Sequence, residues 1–278
     1  MTNIAQKIQD VIRSGRFSHT IKSRVKYFFG LKIDSWEDTI TSKKRYLYYC
    51  LNQIQEIEKL LNRNGYSLFQ FNSVLDFGCG DGRLTKHLFE LIPNATIYGC
   101  DVGSREVSQC KQNFTEGNFF VNKAKPPLNL QNYKFDFIFS YSIFTHLSEK
   151  NHIAWLRELA QFLTDGGVML HTTHGYECLK RLRAFDPKSL DKYNLNKDLD
   201  MLMNEKNLYH FTVPDEIGRI RSDDPEKPEY GLSIISKDYV MNNWEKYSGI
   251  RLCDYIEGGI ESSPEGCHDV IILSKSEL

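Results

Sequence analysis

The chain has 278 residues, with 35 basic against 36 acidic side chains for a net charge of −1, so no global field favours a polyanion. Hydrophobic residues make up 41%, enough to build one large α/β domain or one domain with an appendage. Seven cysteines, odd in number and without a CxxC pair, argue against a structural zinc site or a disulfide framework and for a reducing compartment.

The opening MTNIAQKIQDVIRSG is too polar for a signal peptide, and no apolar run approaches the roughly 18 residues that span a bilayer. A cytoplasmic protein, at most peripheral to a membrane, is expected. Residues 11–33 gather Arg13, Arg16, Lys22, Arg24, Lys26 and Lys32 without an acid, interleaved with Phe17, Tyr27, Phe28 and Phe29. Such a stretch suits contact with an anionic membrane or RNA, or a helical cap packing its aromatics over the active site or a partner subunit.

Residues 36–63 place Leu47, Leu51, Ile54, Ile57, Leu60 and Leu61 at spacings of three and four, an amphipathic helix closed by Gly65. Residues 1–65 are thus expected as an N-terminal helical segment, and 66–278 as the main domain. Five short apolar runs follow, at 72–77, 95–100, 118–121, 135–140 and 167–173, separated by helical spacing at 83–92, 103–113 and 149–163. Strands alternating with helices predict a parallel, doubly wound sheet of the Rossmann-like α/β class. Residues 176–235 break the pattern with charge, aromatics and prolines, with helical spacing around LDMLMNEKNL and loop chemistry in RSDDPEKPEYG, and read as a lid insertion. A helix near 236–247 precedes two more apolar runs, 250–256 and 268–274. Their connection is too short for a helical crossover, so the seven-stranded sheet ends on an antiparallel strand.

The stretch VLDFGCGDGRL (74–84) joins a strand to a helix through Gly78, Gly80 and Gly82, where backbone N–H groups can approach a ligand without Cβ obstruction. Spaced GxGxG and preceded by Asp76, it differs from the dinucleotide pattern. A carboxylate at Asp76 repels a pyrophosphate but suits an amino-bearing, cationic ligand. Asp101, twenty-one residues beyond Gly80, ends the second strand, where an acid can accept both hydroxyls of a ribose. The ligand therefore combines a ribose with a positive charge.

VLDFGCGDG, IYGCD, FDFIFSYSIFTHL and LTDGGVMLHTTHG, in this order and with the terminal antiparallel pair, resemble the motifs of class I S-adenosylmethionine-dependent methyltransferases over residues 44–175 and 236–274. The resemblance implies that Asp76 orients the methionine amino group, that Gly78, Cys79 and Gly80 pass beneath the cofactor, and that Asp101 binds the ribose. Asn122, ending the third strand, would bond the adenine ring and Val102 would flank it. Asn122 also reads as a turn residue, and Val102 as an ordinary apolar residue after a strand. Ser140, ending the fourth strand, completes the expected cofactor-binding set.

A sulfonium methyl is already electrophilic, so the site must align the nucleophile, exclude water and, for a hydroxyl acceptor, remove a proton. Candidates at the ends of the fourth and fifth strands are Tyr141, Ser142, His146, His174 and Tyr176. His174 leads because TTHG leaves the fifth strand at the pocket, although a loop imidazole bonded to backbone fits the same pattern. His146 is expected to open the next helix and to pack beneath the cofactor, and His171 to be buried on the other face.

The stretch SYSI stands where methyltransferases of base or amide nitrogen carry an Asp/Asn-Pro-Pro-Tyr-like tetrad. Neither the acidic pair of arginine methyltransferases nor an Asp-rich metal site occurs, so no metal and no nucleic-acid partner are expected. What remains is methylation of an oxygen on a small-molecule or saccharide acceptor. SIFTHLSEKNHIAWLRELAQFLTDGGVMLHTTHG and CHDVIILSK resemble methyltransferases found with polysaccharide and glycolipid biosynthesis, and Tyr209, His210, Phe211, Arg219, Arg221 and Tyr230 of the insertion could stack on a sugar or pair with an anion. Two alternatives stand beside this reading: an RNA or protein methyltransferase docking through the basic N-terminal segment, and a non-catalytic cofactor-binding protein. A homo-oligomer is compatible with either.

Overall fold

A computed structural model describes residues 42–130, 133–185, 208–212, 231–263 and 266–275. Residues 11–33, Arg219, Arg221, Tyr230 and most of LDMLMNEKNL and RSDDPEKPEYG lie outside these.

Helix α1 (Ser42–Arg63) buries Cys50, Ile54, Ile57 and Leu61, the face that spacings of three and four put on one side. Gly65, at φ 82°, takes the left-handed conformation that releases the chain from the helix. The sheet follows: β1 (Ser73–Phe77), α2 (Thr85–Leu91), β2 (Thr96–Asp101), α3 (Ser104–Asn113), β3 (Asn118–Val121), β4 (Phe135–Ser140), α4 (Glu149–Gln161) and β5 (Leu163–Thr173). After α5 (Tyr176–Phe185), β6 (Leu208–Thr212) and β7 (Gly231–Ile235) form a separate antiparallel pair. Helix α6 (Lys237–Ser248) leads into β8 (Arg251–Ser263) and β9 (Gly266–Ser274).

The seven-stranded sheet has the order β3-β2-β1-β4-β5-β9-β8, with β1 to β5 parallel and β9 antiparallel to both β5 and β8. This is the expected doubly wound, Rossmann-like arrangement. One face packs Leu75, Phe135, Ile138, Met169 and Ile271 against Trp155 and Leu159 of α4 and Trp244 of α6. The other packs Val74, Phe137, Phe139, Val168 and Ile272 against α1 and Leu88 of α2. Buried on both faces, the strands read in sequence as continuous apolar runs.

Three details depart from the sequence reading. No break in packing occurs at residue 65: α1 is a layer of the domain, covering the same face as α2. The ends of the 176–235 insertion are regular structure docked on the sheet: Cys178 and Leu179 of α5 are buried, and all five residues of β7 are buried. Ile235 N donates to His174 O at 2.8 Å and Ser233 N to Thr145 O at 2.7 Å, which ties β7 to the residue after β5 and to the turn that follows β4. Finally, β5 and β8 are longer than expected, β5 taking in Thr164 to Gly166 through a register shift opposite Phe135 and Phe137.

Candidate active site

Strand order reverses between β1 and β4, each continuing away from the other, and the C-terminal ends of these strands frame a crevice of the kind in which open α/β sheets bind ligands. The glycine turn lies on its rim. Gly78 N and Cys79 N both donate to Cys100 O, at 2.8 and 2.9 Å, which bends the backbone out of β1. Gly78 has φ 84°, and a Cβ there would stand 2.1 Å from Ile143 Cδ1. Gly80, at φ 55°, is different: a Cβ would meet nothing within 4 Å, so its backbone faces open space. The Cys79 side chain turns down into a small cluster with Val107, Cys110 and Phe119, so it is the backbone of this residue that a ligand can reach.

Asp101 grips the turn from β2. Its Oδ2 accepts from Gly80 N and its Oδ1 from Gly103 N, both at 2.8 Å, and burial raises its pKa above the usual carboxylate value despite these bonds. Asp76 is buried at the end of β1 with Thr85 Oγ1 donating to its Oδ2 at 2.6 Å. Burial pushes its pKa up to about 7; the Thr85 bond and the Arg83 charge oppose the rise, and Asp101 adds to it. A carboxylate so placed is short of positive charge. Asn122 N donates to Asp101 O at 3.0 Å, and the side-chain Oδ1 is buried without a partner. Val102 is half-buried just past β2. Ser140 departs from the expected role, because its buried Oγ bonds His171 Nδ1 at 2.8 Å in the core facing α4 and α6. His171 is buried there as expected, its pKa lowered to about 3 by burial and then by His152.

A second constellation stands at the ends of β4, β5 and β9. Tyr141 Oη accepts from Gln53 Nε2 of α1 at 2.8 Å and lies 3.4 Å from His268 Nδ1, while the Arg83 guanidinium sits 5.9 Å from the Tyr141 ring. His268 and His174 face each other with ring centroids 4.9 Å apart. Burial first, then neighbouring charge, lowers both: His268 to about 4, with His146 and Arg83 contributing, and His174 well below the ordinary value, with His268 and His146 contributing. Both imidazoles are therefore neutral at neutral pH. Both ring nitrogens of His174 and Nε2 of His268 are buried without a hydrogen-bond partner.

His146 does not open a helix: α4 starts at Glu149 with Ser148 as its N-cap, and His146 Nδ1 donates to Gly231 O at 2.8 Å from the preceding turn. In that turn Ser142 is the non-glycine residue with positive φ, 58°, its N–H donating to Thr172 Oγ1 at 2.7 Å. Strained backbone of this kind concentrates at functional sites. Tyr176 is turned outward with Lys180 4.5 Å from its ring. Tyr209, His210 and Phe211 fall on β6. Among the described residues no group of His, Cys, Asp or Glu side chains is arranged to hold a metal, and no helix is long and apolar enough to cross a membrane. Sequence reasoning passed over Gln53, Thr85 and His268. The last had a usable signal: an antiparallel final strand begins where the parallel strands end, so its first residues reach the site.

The sheet order and the glycine turn give the described residues the Rossmann-like fold of class I methyltransferases. Residues 74–167 match the family model described as a methyltransferase domain. Among curated proteins, the chain is similar to malonyl-[acyl-carrier protein] O-methyltransferases of Bacillus cereus, 28% identical over 127 residues (45% of this chain, 46% of the relative), and of Calditerrivibrio nitroreducens, 29% identical over 133 residues (48% and 51%). The chain spans about half the length of these relatives. Among solved structures, an S-adenosylmethionine-dependent methyltransferase from Clostridium acetobutylicum shares the fold at TM-score 0.51 and 14% identity, covering 81% of this chain and 91% of its own. The magnesium protoporphyrin IX methyltransferase of Synechocystis, solved with bound SAH, does so at TM-score 0.51 and 14% identity, covering 96% and 100%.

Proposed function

We propose that this protein is an S-adenosylmethionine-dependent methyltransferase acting on an oxygen of a small-molecule or saccharide acceptor. Asp76 carries the cofactor reading: its carboxylate is buried at the end of β1, short of positive charge, beside backbone that is bare at Gly80. These residues fit the group. In this reading Asp76 takes the ammonium, Asp101 accepts the ribose hydroxyls on lone pairs its two backbone bonds leave free, and the unpartnered Oδ1 of Asn122 accepts from the adenine amino group. The bound cofactor supplies an electrophilic sulfonium methyl. The chain's own residues then hold the acceptor, shield it from water and move a proton.

Neutral imidazole at His174 supports an oxygen acceptor that is a hydroxyl, because one of its ring nitrogens can take the hydroxyl proton as the methyl is transferred. The relatives named above are O-methyltransferases, which supports oxygen as the acceptor atom. The test is incubation with methyl-labelled S-adenosylmethionine and, separately, a malonyl acyl-carrier protein, saccharide and glycolipid fractions, and RNA. Label in a saccharide or other hydroxyl compound, stable to mild alkali, is the expected result. Alkali-labile label would identify a carboxyl acceptor, label in RNA would overturn the small-molecule reading, and cofactor binding with no transfer would leave a binding protein.

A further inference from the structure

Around the ends of β4, β5 and β9, four buried side-chain atoms of the described residues have no hydrogen-bond partner: Nδ1 and Nε2 of His174, Nε2 of His268 and Oε1 of Gln53. Their residues are only 8%, 1% and 3% exposed. The two imidazoles face each other with ring centroids 4.9 Å apart, and Tyr141 Oη lies 2.8 Å from the bonded end of the Gln53 amide and 3.4 Å from His268 Nδ1, which puts all three side chains in one neighbourhood. Buried polar groups in folded proteins are almost always satisfied, so four unmet atoms in one place point to a hydrogen-bonding occupant.

How many groups that occupant must present follows from His174 first. The two nitrogens of an imidazole lie on opposite edges of the ring and point apart, so no single atom can bond both. Burial holds the ring neutral, and a neutral imidazole offers one N–H and one lone pair whichever nitrogen carries the proton. A donor is therefore needed on one edge and an acceptor on the other. His268 Nε2 and the unbonded end of the Gln53 amide each call for a further partner, whether they are donors or acceptors, so neither the position of the His268 proton nor the orientation of the amide enters the count. A lone hydroxyl, with its one proton and two lone pairs on one oxygen, cannot meet these demands. The unmet atoms belong to neutral side chains, which suits an uncharged occupant. We propose that the acceptor is a neutral polyol of the saccharide class, held by His174, His268 and Gln53 through at least two of its hydroxyls.

This rests on the methyl-transfer reading and names its acceptor class. One hydroxyl donates to the lone pair of His174; as its oxygen bonds to the methyl, that proton passes to the ring and the sulfur keeps the electron pair of the broken S–C bond. A second hydroxyl accepts from the N–H on the other edge and steadies the positive charge the ring then carries, the part a carboxylate plays in a Ser-His-Asp triad. His268 and Gln53 act on specificity, because the further hydroxyls they hold decide which one meets His174. Gln53 thereby gives α1 a part in the site.

Nitrogen NMR spectra of the full chain with labelled histidine, saturated with S-adenosylhomocysteine, test this against the methyl glycosides of glucose, galactose, mannose and rhamnose, His174 and His268 being assigned by the signals lost in His174→Gln and His268→Gln. At least one glycoside should shift both nitrogens of His174 and Nε2 of His268, whereas cyclohexanol, with a single hydroxyl, should shift fewer. No response to any of the glycosides would leave these atoms to bound water and overturn the proposal, as would a cyclohexanol response just as complete. A response to 4-hydroxycyclohexanecarboxylate alone would overturn the neutral class. Gln53→Leu, which removes the amide at similar volume, should raise the Kd of the responding glycoside about fivefold while calorimetric binding of S-adenosylhomocysteine stays the same; an unchanged glycoside Kd overturns the part given to Gln53. If no fraction takes label from S-adenosylmethionine while a glycoside gives the expected shifts, the methyl-transfer reading fails and the recognition of a polyol stands.

Discussion

Asp76 should make cofactor binding depend on pH in a definite direction. Without ligand its pKa is about 7, set chiefly by burial. The ligand's ammonium binds the ionised carboxylate, so at lower pH a proton must first leave. Affinity is then expected to fall about tenfold per pH unit once the pH is well below 7, which is about 1.4 kcal/mol for each unit. This window lies beneath the roughly 7.7–8.0 of an α-amino group, so the ligand remains charged throughout. Calorimetric titration with S-adenosylmethionine between pH 7 and 5.5, in buffers of different ionisation enthalpy, reads both the affinity and the protons released. Asp76→Asn should bind more weakly at pH 7 and lose this pH dependence. The same shift bears on stability with a fixed sign. A carboxyl whose pKa rises from 3.8 unfolded to about 7 folded contributes its stability fully below pH 3.8 and loses it as the pH rises through about 7. The loss amounts to about 4 kcal/mol, so Asp76→Asn should unfold at higher urea than the parent at pH 8 without cofactor. An affinity flat from pH 7 to 5.5, with no proton release, would refute the assignment of Asp76 to an ammonium.

Asp101→Ala removes a carboxylate that holds both the Gly80 and Gly103 amides, and should weaken cofactor binding tenfold or more by calorimetry, a charged hydrogen bond being worth about 1.5–3 kcal/mol; unchanged binding would exclude the ribose contact. His174→Ala should cut turnover while leaving cofactor affinity intact, and full activity in that variant would put proton removal elsewhere. Gly78→Ala combines a left-handed φ with a Cβ driven into Ile143, so it should cost about 1–3 kcal/mol in urea unfolding, only part of it restored by Ile143→Ala. Ile57→Ala, far down the buried face of α1, should cost about 2–5 kcal/mol, and a near-neutral result would contradict the packing of α1 as a layer of the domain.

The sheet was legible because its strands are buried on both faces. VLDF, TIYGC and FDFIFS announce themselves as apolar runs, and the glycine turn does so because Gly78, Gly80 and Gly82 all take φ values that other residues avoid. The 208–212 and 231–235 pair was not legible. GLSII is only five residues long and follows a charged, proline-rich stretch, and what makes it a strand is a partner twenty residues upstream together with bonds to His174 and Thr145. Long-range pairing of that kind leaves no local period. Ser140 misled for a related reason. Ending β4 places its backbone at the crevice, but alternation along the strand sends the hydroxyl to His171 on the far face. Tyr141, one residue later, alternates to the near face and reaches Gln53 and His268.

Several unfavourable features of the described fold lie at one end of the sheet. Asp76 is buried short of positive charge, Ser142 holds a left-handed φ, Asn122 Oδ1 lacks a donor, and the paired imidazoles leave three nitrogens unbonded, while β1 beneath pairs in unbroken parallel register with β2 and β4. Hydrophobic burial through α1, α4 and α6 offsets these costs. In the proposed function three of these costs would find relief in a ligand group: an ammonium for Asp76, an amino proton for Asn122, a hydroxyl for His174 and His268. The reliefs divide between two molecules. On that proposal the aspartates and Asn122 would be answered by the cofactor around β1 to β3, and the histidines by an acceptor around β4, β5 and β9. Cofactor alone should therefore satisfy only the first half, leaving the imidazole pair unbonded until the acceptor arrives.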